Sequence, residues 1–223
     1  MKKIEELDFF NEYAAALTDS SIQVNRNIST HNIYFKMKRL FDILFSVIGL
    51  IITLPVILIF SILIKLETTG PAFFFQERVG LNGRYFKVIK LRSMRIDAEK
   101  NGAQWAAKND PRVTKVGSFI RKTRIDELPQ LWNVLIGDMS LVGPRPERPM
   151  FTAKFNEEIP GFIKRLTVKP GLTGWAQING GYEITPKKKL ELDLYYINNV
   201  NFYLDLKIIL KTIITCITGE GAR

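Results

Sequence analysis

Between Ile43 and Ile64 lie 22 residues without a charge, 17 of them Ile, Leu, Val or Phe. Coiled at 1.5 Å per residue, the run reaches roughly 33 Å, enough to cross the hydrocarbon core of a bilayer. At about −0.3 to −0.6 kcal/mol per apolar residue its insertion is favoured by roughly 5–10 kcal/mol, an upper bound because end positions count less. The chain therefore associates with a membrane. A secretory leader is not expected, since the run begins after about forty residues and no small-residue cleavage site follows it. Both flanks are basic, with Lys36, Lys38 and Arg39 before the run and Lys65 after it. The cytoplasmic bias of Lys and Arg then asks for both ends on one side, which a single straight crossing does not give. Pro55 near the middle removes a helical hydrogen bond and predicts a kink. Two readings stand at this point: a helix bent at Pro55 that enters and leaves on the same side, and one spanning helix that tolerates its proline.

The rest of the chain reads as a helix-rich α+β protein in three parts. These are an N-terminal extension at 1–35, a membrane helix at 36–66 and a basic folded domain at 67–223. In the extension Leu7, Phe10, Ala14 and Leu17 share a helical face, and a Ser/Asn/Thr-rich linker follows. After Glu67 short strands are expected, interrupted by turns at Gly70-Pro71 and Asn82-Gly83. Phe119 to Leu135 reads as helix, Gly143 to Pro149 as a proline-fixed loop, and Pro170 to Gly181 as a glycine-rich loop. Leu190 to Ile217 reads as helix again. Its last part sets Lys207, Lys211, Thr215 and Thr218 on one face against Ile and Leu, a pattern that suits an amphipathic helix in the membrane interface as well as ordinary core packing. One cysteine, Cys216, excludes an internal disulfide and a thiolate metal cluster, and the lone His31 argues against histidine-based chemistry.

Charge localises the chemistry. From Gln76 to Arg148 there are 15 Lys or Arg against eight acids, so this segment carries +7 of the chain's +10. Such a concentration points to an anionic partner. Within it, "RIDELPQLWNVL" sets Asp126 beside Glu127. Thr123-x-x-Asp126 fits a capping box, and Leu128, Leu131, Trp132 and Leu135 follow as a buried stripe. Pro129 cannot donate to Ile125, so a helix must kink or start there. A helix end, with Arg121, Lys122 and Arg124 nearby, favours ionised carboxylates. An ionised Asp126 can attack phosphorus, ligate Mg²⁺ or serve as a plain ion-pair partner, and an arbitrary Asp-Glu pair most often does the last. "KLRSM" puts Lys90 and Arg92 on one strand face, suited to phosphate or to solvent. In "GPRPERP" two prolines pre-aim Arg145 for a bidentate phosphate contact, or merely stiffen a loop. There is no Walker A sequence and no G-x-G-x-x-G behind a strand.

Five blocks occur in order: "KRLFD", "GPAFFFQERVGLNGRYFKVIKLRSM", "IRKTRIDELPQLWNVLIGDMSLVGPRPERP", "KPGLTGWAQING" and "LELDLYYINN". Together they resemble the bacterial sugar transferases, the monotopic polyprenyl-phosphate glycosyl-1-phosphate transferases, from about Lys36 to Thr218. The match covers the small catalytic unit and not the multi-span region of larger members. The resemblance implies transfer of a sugar 1-phosphate from a UDP-sugar to a membrane polyprenyl phosphate such as undecaprenyl phosphate, with release of UMP and with Mg²⁺ as cofactor. Asp126 matches the family nucleophile, with Mg²⁺ nearby, and Glu127 its dyad partner. Lys90, Arg92, Arg121, Arg124 and Arg145 would then bind phosphate. The resemblance further implies a re-entrant helix broken at Pro55, although Leu54 stands where many members have Ser. Arg124 likewise stands where many have Ser or Thr. The expected place is the bacterial inner membrane, with the catalytic domain on the cytoplasmic face and a role in exopolysaccharide, capsule or glycoconjugate synthesis.

The alternative is an inactive membrane-anchored binding or scaffold homologue, against which the intact Asp126-Glu127 pair argues. Nucleic-acid binding is not expected, because no motif supports it and the apolar run opposes it. Self-association stays open, and a homo-oligomer is compatible with all of the above. The residues do not name the sugar.

Overall fold

The structure, a computed structural model, describes residues 28–100, 102, 110–180 and 184–218. The amphipathic face at Leu7 to Leu17 lies outside these residues. Helix α1 runs from Ile28 to Glu67, so it starts within the stretch read as linker, ahead of Lys36. Pro55 sits inside α1 without interrupting it, and the expected break is absent as a gap in the helix. The proline removes one donor, and the preceding turn is supported by Thr53, whose hydroxyl donates to the Gly49 carbonyl at 2.7 Å.

Only 11% of the most apolar window of α1 is buried. A core helix of a water-soluble protein would bury most of such a window. Here Leu40, Ile51, Ile52, Leu58, Ile59 and Ile62 all face outward, so by length and exposure α1 is a helix that could span a membrane. The remaining stripe packs on the domain. Ile57 and Ile64 join Ala72, Leu91 and Ile120 in one core cluster, and Phe60 stacks on Phe119 with centroids 5.6 Å apart.

Strands β1 (Phe73–Val79) and β2 (Tyr85–Leu91) form the expected antiparallel hairpin, in register from Phe73 opposite Leu91 to Val79 opposite Tyr85. Its turn uses the predicted Asn82-Gly83, both with positive φ (54° and 77°). The long helix expected over Phe119–Leu135 is instead three pieces. Helix α2 spans Lys115–Lys122, a 3₁₀ turn spans Ile125–Glu127, and helix α3 spans Gln130–Ile136. Arg124 takes a left-handed conformation (φ 56°, ψ 15°) and ends α2. Pro129 then caps α3, because it has no amide to continue the preceding turn. The capping box does not form: Thr123 donates back to the Phe119 carbonyl at 2.8 Å. The stripe differs too. Gln130, Leu131, Asn133 and Val134 are buried, whereas Trp132 is exposed.

Next come β3 (Ser140–Val142), α4 (Pro149–Glu158) and a 3₁₀ segment at Phe162–Thr167. The predicted loop at Pro170–Gly181 is in fact strand β4 (Gly171–Thr173), parallel to β3, followed by helix α5 (Trp175–Gly180). Glycines permit this crossing: a Cβ on Gly171 would lie 2.1 Å from the Gly143 nitrogen, and one on Gly174 would lie 2.1 Å from the Gly143 carbonyl oxygen. The last predicted helix is two, α6 (Pro186–Asn199) and α7 (Phe202–Thr218). Tyr196, Ile197, Val200, Leu204 and Ile208 pack with Val142 as a second core cluster. Phe202, Leu206, Leu210, Ile213 and Ile214 of α7 remain exposed. Asp205 joins the first and last helices. Tyr34 and Lys38 of α1 bond one of its carboxylate oxygens, and Tyr196 donates to the other at 2.8 Å.

Candidate active site

A cavity of about 580 Å³ opens among β1, the end of β2, the 3₁₀ turn at Ile125–Glu127 and the loop after β3. Asp126 and Glu127 line it, as do Lys90, Arg92, Arg121, Arg124 and Arg145. The sequence-predicted site residues therefore do meet, though with unequal duties.

Glu127 takes the cations. Lys90 donates to Glu127 Oε1 at 2.7 Å, and Arg145 pairs with the same carboxylate through both terminal nitrogens. Burial alone would raise its pKa, but Arg145 and Lys90 outweigh it and hold the carboxyl well below the usual range. Asp126 behaves in the opposite way. Burial, with the Glu127 charge beside it, pushes its pKa up to about 6 despite Lys90, Arg145 and Arg121. The sequence reading, in which helix end and arginines kept Asp126 ionised, holds better for its neighbour. The reason is that Asp126 is only 8% exposed and forms no ion pair among the described residues, so the nearby cations offset its desolvation only in part.

Several placements explain this division. Asn133 of α3 accepts from the Ile89 amide (3.0 Å) and donates to the Lys87 carbonyl (2.8 Å), so β2 is fixed on α3 one residue before Lys90. Arg145 leaves the β3 loop between Pro144 and Pro146. That loop is held from behind: Arg165 donates to the Arg145 carbonyl (2.8 Å), Arg78 to the Pro146 carbonyl (2.9 Å), and the Val79 amide to the Glu147 carbonyl (2.9 Å). Arg165 is itself locked to Asp193 at 2.6 Å with both side chains 2% exposed. Glu147 pairs with Lys189.

Arg92 departs from expectation. Its terminal nitrogens donate to the Thr68 and Thr69 carbonyls at the end of α1, so it forms a wall of the cavity more than an open phosphate ligand. Arg121 acts on Asp126 through its charge, and Arg124 lines the cavity from a left-handed backbone position just before the turn. Sequence reasoning passed over Arg78, Glu147, Lys189, Arg165 and Asp193. Glu147 and Asp193 were inside the quoted blocks "GPRPERP" and "LELDLYYINN", but nothing in their spacing shows that they meet.

A family profile described as bacterial sugar transferase matches residues 33–219. The chain belongs to that family. A Bacillus subtilis protein, named provisionally as an undecaprenyl-phosphate N-acetylgalactosaminyl 1-phosphate transferase, is 60% identical over 159 residues, 66% of this chain and 89% of its own. An Aeromonas hydrophila protein named as a UDP-N-acetylgalactosamine-undecaprenyl-phosphate N-acetylgalactosaminephosphotransferase is 50% identical over 86% of this chain and 46% of its own. An Escherichia coli protein named as a UDP-glucose:undecaprenyl-phosphate glucose-1-phosphate transferase is 41% identical over 83% and 41%. This sugar transferase thus spans most of the Bacillus relative and less than half of the other two. The "DELPQLWN" and "GPRPERP" blocks, which carry Asp126, Glu127 and Arg145, lie well inside the 33–219 match.

Proposed function

We propose that the protein transfers a sugar 1-phosphate from a UDP-sugar to undecaprenyl phosphate in two steps, with Asp126 as nucleophile. The observation that carries this reading is the asymmetry of the pair: Glu127 is bound by Lys90 and Arg145, while Asp126 faces the cavity and forms no ion pair among the described residues. A desolvated carboxylate is a better nucleophile than a hydrated one. In the first step an Asp126 oxygen bonds to the sugar-bearing phosphorus, and the bond from that phosphorus to the bridging oxygen breaks. UMP leaves with the electron pair. In the second step an oxygen of the polyprenyl phosphate attacks the same phosphorus and Asp126 departs, giving a polyprenyl diphospho-sugar. Lys90, Arg121, Arg124 and Arg145 surround the cavity where charge spreads over the phosphoryl oxygens, and phosphoryl transfer needs little more than such positioning.

Mg²⁺ fits as a substrate-held ion. Among the described residues no group of three or more His, Cys, Asp or Glu could cage a metal. Mg²⁺ is commonly bound by one or two carboxylates plus substrate phosphates, and among the described residues lining the cavity Asp126 is the carboxylate that no ion pair already holds. When bound it would neutralise charge on the donor diphosphate.

The membrane arrangement belongs to the same reading. Both ends of α1 touch the polar domain, through Arg39 and Asp42 at one end and Glu67 at the other. A helix crossing the bilayer at right angles would carry one end away from a domain lying on one face. Contacts toward both ends favour re-entry through a bend at Pro55, with both basic flanks and the cavity on the cytoplasmic side. The exposed apolar face of α7 would lie in the interface. Two of the relatives above are named for N-acetylgalactosamine, so an N-acetylhexosamine is the first donor to try. The test is a panel of UDP-sugars with undecaprenyl phosphate and Mg²⁺, read as UMP release. UMP formation that is lost in Asp126→Asn supports the scheme, and release of UDP sinks it. An inactive scaffold would release neither.

A further inference from the structure

We propose that helix α1 is part of the active-site scaffold, and that Arg39, Asp42 and Glu67 are positioning residues that fix the Asp126–Glu127 turn and Arg145 relative to one another. The proposal rests on the catalytic reading above and adds residues that touch no substrate. Its starting point is that the turn has little holding it locally. The 3₁₀ segment Ile125–Glu127 is three residues long, lacks a side-chain cap and is entered through left-handed Arg124. Its orientation is inherited from α2 and α3, of eight and seven residues. Helices that short are not stable alone, so their placement depends on what they dock against.

They dock on α1 at opposite ends. At the far end of α3, Arg39 donates to the carbonyls of Val134 (2.6 Å) and Leu135 (2.7 Å), a cation at a helix C-terminus. At the near end of α2, Glu67 accepts from the amides of Lys115 (2.7 Å) and Val116 (3.0 Å), an anion at a helix N-terminus. The segment that carries the carboxylate pair is thus gripped before and after it by one helix. Between the grips, Gly49 lets α3 approach closely: a Cβ there would lie 3.0 Å from Leu131 Cδ1. The third tie reaches the cation side. Asp42 is buried, and its Oδ1 accepts from the Leu141 amide (2.9 Å) and the Ser140 hydroxyl (3.1 Å) in β3, the strand that leads to Arg145. Five of these six bonds go to backbone groups, so they set where the segments lie and do not depend on which side chains those segments carry. A displacement of about 1 Å in such a site costs roughly a hundredfold in rate.

The test uses the full chain in lipid nanodiscs and four variants, Arg39→Met, Glu67→Ala, Asp42→Ala and Asp42→Asn. Steady-state UMP release is read beside amide hydrogen exchange. Expected for Arg39→Met and Glu67→Ala is a fall in kcat of roughly tenfold to a hundredfold with donor KM changed by less than about twofold. Amides 125–136 should exchange faster in both, while those of α6 keep their protection. Asp42→Asn retains the Oδ1 acceptor and should recover at least about tenfold over Asp42→Ala. The proposal is overturned by kcat within about twofold of wild type, by an effect on KM alone, by an Asp42→Asn no better than Asp42→Ala, or by exchange that rises equally throughout the domain. If the wild-type protein releases no UMP, the catalytic reading fails, and the exchange pattern alone then decides the scaffold role.

Discussion

Replacing Asp126 by Asn should make the folded protein more stable, and increasingly so as pH rises. The carboxyl has an ordinary value near 3.8 and is pushed up to about 6 in the fold, chiefly by burial. A raised acid favours folding while it is protonated, and that benefit is lost as pH rises through the folded value. Above pH 6, therefore, the wild-type charge opposes folding by about 3 kcal/mol, at 1.36 kcal/mol per unit of pKa. At pH 5 the cost is only about half as large, because the folded carboxyl is mostly protonated there. An amide of nearly the same shape carries none of this cost. The advantage of the variant should thus grow by about 1.4 kcal/mol between pH 5 and pH 8, which at this chain length is roughly 3–6 °C of Tm. Differential scanning fluorimetry of both proteins in one detergent, at pH 5 and pH 8, measures the gap. Glu127→Gln is the control, with the sign reversed: its carboxyl is held low by Arg145 and Lys90, so losing the charge should lower Tm at both values of pH. A gap for Asp126→Asn that stays constant or shrinks toward pH 8 would refute the claim that burial outweighs the cations around this carboxylate.

The same titration should appear in catalysis, because only the ionised Asp126 attacks: kcat/KM for the donor should fall as pH drops through about 6, and a flat profile from pH 5 to 8 would exclude Asp126 as nucleophile. Asn133→Ala removes two bonds between α3 and β2, leaves the Ile89 and Lys87 backbone groups unpaired, and should cost about 2–3 kcal/mol by thermal unfolding. Arg124→Gly relieves a left-handed backbone worth roughly 1–2 kcal/mol, so Tm should rise while UMP release slows through loss of a cavity cation. Mutating Arg165 to Met strands Asp193 in the interior and should cost about 3–5 kcal/mol, read as a lower denaturation midpoint.

Much of the site was legible because its residues are close together in the chain or sit in rigid short blocks. Asp126 with Glu127, Pro129 as a helix start, and Arg145 between prolines needed only local chemistry. The β-hairpin was legible for the same reason, since Asn82-Gly83 dictates its turn. The failures are non-local. Helix was expected over Phe119 to Leu135 with a kink or start only at Pro129, and nothing in the residue type at Arg124 announces the left-handed backbone that ends α2 there. Trp132 was assigned to the core by spacing, but α3 packs through Leu131 and Val134 and turns the indole outward. β4 was read as loop because its three residues begin with Gly171 and sit between Pro170 and Gly174, and the strand exists only by pairing with β3, about thirty residues earlier in the chain. The preference of Lys90 and Arg145 for Glu127 over Asp126 depends on the angle of the turn, which spacing does not carry.

The Asp205 bridge has a topological meaning. Tyr34 and Lys38, near the beginning of α1, meet a residue of the final helix. The start of α1 and the start of the final helix therefore lie side by side. Because Tyr196 donates to the same carboxylate, a pull on the membrane helix is passed through Asp205 into the core cluster around Val142.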